Sequence, residues 1–148
     1  ASDVKVVKDP KGLVEAHPEY SFFVCKDNGK IKGYTYGGVS MFRIHARCGW
    51  SGLEYMKQKC GNLTIINMGV VGGAYDDVMD FLNLFVAHRS KLNKSTKVGG
   101  YGQNINMTLG NYIFRYLFQD KKVLMGEPVT SVYKALQNDR KDVYFIHK

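Results

Sequence analysis

The chain has 148 residues, of which 45% are hydrophobic and 13% aromatic, enough for one domain with its own core and too much for a disordered tail. No apolar run approaches the length of a membrane span and the first residues hold no secretory h-region, so the expectation is a soluble, cytoplasmic protein. Its 21 basic against 13 acidic residues leave a net charge of +8, a field that attracts acidic partners: nucleic acid, an anionic membrane or a phosphorylated cofactor.

In chain order, Pro10 and Pro18 break any long helix in the first twenty residues and leave room for a short strand over 4–7. Two β-prone runs then flank Asp27-Asn28-Gly29-Lys30. Asn-Gly between such runs suits a type I′ turn, which predicts a hairpin over 20–36. Ser51 as N-cap and Gly61 past the end predict a short helix over 51–59. Residues 63–71, LTIINMGVV, read as a buried strand. Residues 78–89 fit a strand or a helix, with alternation favouring a strand over 81–87.

The three cysteines, Cys25, Cys48 and Cys60, are odd in number and lack CxxC spacing. Reduced structural thiols are expected, with no metal site.

Further along, Ile105, Leu109, Tyr112, Ile113, Tyr116 and Leu117 recur at offsets of three and four, one face of a helix, with Lys121 and Lys122 near its C-terminus. A short strand over 123–125, a helix over 129–136 begun by Pro128 and a closing strand over 142–147 complete the reading. The fold class expected is α/β (α+β): one domain over 1–148, with a mixed, largely antiparallel central sheet flanked by helices.

Just before the periodic helix stands Lys97-Val98-Gly99-Gly100-Tyr101-Gly102. Bare N–H groups on a glycine run at a helix N-terminus form an anion cradle, and Arg89, Lys91, Lys94 and Lys97 add counter-charge. No Gly-Lys-Ser/Thr follows, which sets aside a Walker A loop, and the dinucleotide fingerprint is incomplete. The run has the spacing of the Arg/Gln-x-x-Gly-x-Gly/Ala pyrophosphate loop, with lysine in the first place. On these residues the late half of the chain resembles the GNAT superfamily of acetyl-coenzyme A-dependent N-acetyltransferases.

That resemblance implies a GNAT-like fold and transfer of an acetyl group from acetyl-coenzyme A to an amine acceptor. It implies cofactor contacts at Lys97, Val98, Gly99, Gly100, Tyr101 and Gly102. Phe85 and Val86 would lie on the family's fourth strand, and the hairpin would be its central pair. Tyr133, in Val132-Tyr133-Lys134, would protonate the departing thiolate. Asp77, Asp80 or Glu127 would serve as base through water, with no choice among them.

Two other classes compete. Tyrosines interleaved with lysines, as in KIKGYTY, suit single-stranded nucleic acid stacked on an exposed sheet. A viral matrix-like protein would turn the same charge to anionic lipid or ribonucleoprotein. Cys48-Gly49-Trp50 with His88 downstream has the Cys-then-His order of a thiol protease and nothing else of it.

Overall fold

The computed structural model describes residues 3–36, 38–92, 102–131 and 139–147. Its class is α+β. Strand β1 (Val4–Val6) lies antiparallel to β7 (Phe145–His147), with Val4 opposite His147 and Val6 opposite Phe145. Helix α1 (Pro10–Ala16) starts where Asp9 accepts the Lys11 N–H at 2.9 Å and Pro10 supplies a preset first turn. It buries Leu13.

Strand β2 (Phe22–Lys30) is the middle of a three-stranded sheet, between β5 (Thr64–Gly73) and β6 (Val123–Met125). It runs parallel to β6, pairing Phe22 with Val123 and Val24 with Met125. Against β5 the order reverses: Lys30 reaches Thr64, Asp27 meets Asn67 and Ser21 lies against Gly73.

The expected hairpin over 20–36 is therefore corrected: Asp27-Asn28-Gly29-Lys30 is straight strand. Asp27 Oδ2 accepts the Asn67 amide at 3.1 Å, which holds this stretch to its neighbour strand. Gly29 serves close approach and not a turn, since a Cβ there would stand 2.9 Å from Ile65 Cδ1. The chain turns later, through Ile31–Gly33, into the small antiparallel pair β3 (Thr35–Tyr36) and β4 (Val39–Ser40).

Helix α2 (Met41–Cys48) is capped by Ser40 Oγ and ends at Gly49, whose φ of 68° stops it. The helix expected over 51–59 is present as α3 (Leu53–Tyr55) continuing into a wider π-type turn, Met56–Cys60. Its N-cap is Gly52 instead of Ser51, because the chain passes that corner at φ 74°.

Helix α4 (Tyr75–Ser90) replaces the strand expected over 81–87. Sixteen residues suit a helix better than a strand. Asp76 and Asp77 in the first turn and His88 and Arg89 in the last complement its dipole. Phe81 is buried and stacks on Phe114, ring centroids 4.8 Å apart. Helix α5 (Gly102–Tyr112) continues into a π-type turn, Ile113–Leu117, and buries Ile105, Leu109, Tyr112 and Ile113, the face its periodicity predicts. After Pro128, Val129 and Thr130 form a turn closed on the Gly126 carbonyl, and Thr130 bridges Phe145. The helix expected over 129–136 does not begin there, and 132–138 lie outside the described residues.

The chain divides into two compact units. The first comprises 1–28, 66–79 and 120–148, with Leu13, Phe23, Cys25, Val70 and Val129 packed in one core cluster. The second comprises 29–65 and 80–119, where Val39, Ile44, Leu92 and Ile105 pack together beneath Cys48 and Trp50. Among the described residues no helix is long and apolar enough to cross a membrane.

Candidate functional site

Charge is distributed unequally along the chain. The second unit carries eleven lysines and arginines in sequence against only Glu54 and Asp80, whereas the first carries ten against eleven. The whole positive excess belongs to residues 29–65 and 80–119, and that concentration of one sign is what builds a field.

The same unit holds a cleft of about 340 Å³. Six of the residues lining it carry its chemistry: Cys48, Trp50, Ser51, His88, Lys91 and Tyr112. The corner that bears Trp50 is built by local rules. Gly49 ends α2 in the left-handed region, and the next two carbonyls fold back over the helix. His45 Nε2 lies 3.1 Å from the Trp50 oxygen and 2.8 Å from the Ser51 oxygen. Two carbonyl acceptors need a donor, so Nε2 carries the proton. Burial pushes the His45 pKa below its ordinary value, against the pull of those two carbonyls, so the ring is neutral at pH 7.

Trp50 stacks on Tyr112 with centroids 5.3 Å apart and planes 4° from parallel, and Tyr112 stacks in turn on Tyr116. His45 and His88 meet the Trp50–Tyr112 pair edge-on. Ser51 Oγ lies 2.9 Å from the Tyr112 hydroxyl, tying the corner to α5. Trp50 is half-buried and Lys91 is exposed. The result is a fixed aromatic wall with a cation beside it. Cys48 and His88 both line this cleft, but burial pushes the Cys48 thiol up to about 11, so it stays protonated and a poor nucleophile.

A second cluster lies in the first unit. Cys25 Sγ is 3.3 Å from His147 Nδ1, and His147 Nε2 is 3.1 Å from Asp3 Oδ2. Thr130 Oγ1 donates to the sulfur at 3.3 Å. Thiol, imidazole and carboxylate in that order resemble nucleophile, base and orienter. Yet Cys25 is 0% exposed, and burial raises its pKa. In this structure the trio is a polar tie that runs from buried Cys25 and His147 out to half-exposed Asp3. Spacing could not announce it, because the partners come from opposite ends of the chain.

The residues expected for acetyl transfer are dispersed or undescribed. Lys97, Val98, Gly99, Gly100, Tyr101 and Tyr133 lie outside the described residues. Gly102 is the first residue of α5, as a phosphate cradle requires. Phe85 and Val86 sit on helix α4 and not on a strand: Phe85 is half-buried beside Phe81, and Val86 is 63% exposed. A helix has no free backbone edge in its interior, so this segment cannot pair with a pantetheine arm as a strand would. Asp77 is paired with Lys121 at 2.9 Å and Glu127 with Arg140, while Asp80 is exposed. Among the described residues no group of three or more His, Cys, Asp or Glu is placed to hold a metal ion.

No known protein family, curated protein or solved structure matches the chain.

Proposed function

We propose that the protein binds single-stranded nucleic acid through its second unit, residues 29–65 and 80–119. The observation that carries this reading is the concentration of the whole positive excess in the unit that also holds the Trp50–Tyr112 cleft. Phosphates supply the charge such a field attracts, and bases supply faces for aromatic rings. The direct test is anisotropy of a labelled single-stranded decamer over a range of salt. Binding that falls steeply with salt supports the reading. Binding that is absent at low salt, or indifferent to salt, overturns it.

A second reading keeps acetyl transfer from acetyl-coenzyme A to an amine, favoured by the position of Gly102 at the start of α5. In it the glycine run 97–102 holds the pyrophosphate and Tyr133 acts as the acid. Acetyl-coenzyme A at a hundred times its dissociation constant would raise apparent stability by ~2.7 kcal/mol. Absence of any thermal shift at saturating cofactor would end this reading without touching the first.

A further inference from the structure

We infer that the cleft beside Trp50 is a one-nucleotide site: it takes a single base against the Trp50 ring with that nucleotide's phosphate at Lys91. This rests on the nucleic-acid reading and sharpens it, from a charged surface to a defined ligand.

Size sets the first limit. A volume of about 340 Å³ stands at the small end of ligand pockets and suits one nucleotide, not a run of stacked bases. Shape sets the second. Half-buried Trp50 belongs to a stacked ring series that continues through Tyr112 to Tyr116. Trp50 and Tyr112 both line the cleft, so a flat ring entering it meets aromatic surface. The wall is held before any ligand arrives, by the His45 Nε2 bonds to the Trp50 and Ser51 carbonyls and by the Ser51–Tyr112 hydroxyl contact. Little ordering remains to oppose binding.

Charge sets the third. Lys91 follows His88 by three residues at the end of α4, and both line the cleft. Among the described residues no acidic side chain lines it, and the Cys48 thiol is neutral there, so no anionic group among them opposes a phosphate. A planar ring with a phosphate next to it satisfies all three limits. The nucleotide is either free or the terminal one of a strand, and the strand is favoured because the charge of the unit far exceeds what one phosphate uses.

Trp50 is the only tryptophan in the chain, so its emission reports on this cleft alone. AMP, inorganic phosphate and phenyl phosphate are titrated against the intact protein while Trp50 emission is read. A decamer with a 5′-phosphate and one with a 5′-hydroxyl are followed by anisotropy. The expected result is saturable quenching by AMP and none by phosphate. Phenyl phosphate, with a smaller ring, should bind at least tenfold more weakly. AMP should displace the 5′-phosphorylated decamer, which should bind roughly tenfold more tightly than its 5′-hydroxyl form, the loss expected for one charge-assisted contact between the phosphate and Lys91. Lys91→Ala, a surface change, should weaken AMP by a similar factor with an unchanged melting temperature.

Unaltered emission at millimolar AMP, while decamers still bind, overturns the one-nucleotide site and leaves the nucleic-acid reading standing. Phenyl phosphate equal to AMP overturns recognition of a base. Quenching by AMP with no displacement of either decamer overturns the strand as the source. Failure of AMP and decamers together overturns both readings.

Discussion

The Cys25 thiol and the His147 imidazole stand 122 positions apart in the chain and 3.3 Å apart in the core. Their meeting depends on Gly69. A Cβ built there would fall 2.2 Å from His147 Cε1, so the ring occupies the space that any other residue would fill. Gly69→Ala should displace His147 from both Cys25 and Asp3 and cost ~1–3 kcal/mol, as overpacking does. A lower urea midpoint at unchanged slope would register it. A midpoint equal to wild type would show that the ring moves freely and the tie is unimportant.

His45 predicts a pH dependence with a definite sign. Its folded pKa lies below the ordinary 6.5, so the unfolded state takes up the proton first as pH falls. The stability contributed by the neutral ring is complete above about 6.5, declines below it and stops declining once the folded pKa is passed. Melting temperatures from pH 8 to pH 5 should therefore show a drop that His45→Gln lacks, since glutamine keeps an N–H donor for the two carbonyls but does not titrate. Parallel curves for the two proteins would refute the assignment.

The three thiols should be slow. Cys25 and Cys60 are buried, Cys48 is half-buried, and burial raises the pKa of each. Iodoacetamide at pH 7.4 should modify native protein far more slowly than protein in denaturant, with Cys48 first to react. Rapid labelling of Cys25 in native protein would reveal an accessible nucleophile and revive the triad as chemistry.

Two glycines of the second unit make a contrast. Gly52 combines φ 74° with a Tyr116 ring 2.6 Å from where a Cβ would lie. Gly52→Ala should cost ~1–3 kcal/mol and loosen the corner leading to α3. Gly33, with nothing within 4 Å of its would-be Cβ, should accept alanine within ~0.5 kcal/mol. Equal melting temperatures for the two variants would contradict the packing described at Gly52.

Legibility in the sequence followed the range of the forces involved. The α5 face came through because Ile105, Leu109, Tyr112 and Ile113 repeat at a helical period, and one stripe has to be buried. The β5 strand came through on its largely apolar, β-branched run. The Asn28-Gly29 turn did not, because a local preference of that size yields to a whole strand of ladder bonds and to the Asp27–Asn67 contact. Helix α4 was ambiguous for a different reason: apolar residues lie on more than one side of it, which blurs both periods.

By itself the sequence determined an α+β chain with its own apolar core, a strong positive charge, and a glycine run that ends at a helix start. Those are sums and near-neighbour relations, which one dimension holds completely. Only the tertiary structure decided where they act. It interleaves 29–65 with 80–119, so the charge of two segments becomes one field, and it brings Trp50, His88, Lys91 and Tyr112 around a single cleft. Packing joins residues by surface fit and not by spacing, and for that reason the chain showed only the order Cys48-Gly49-Trp50 then His88, with nothing to place Lys91 and Tyr112 beside them.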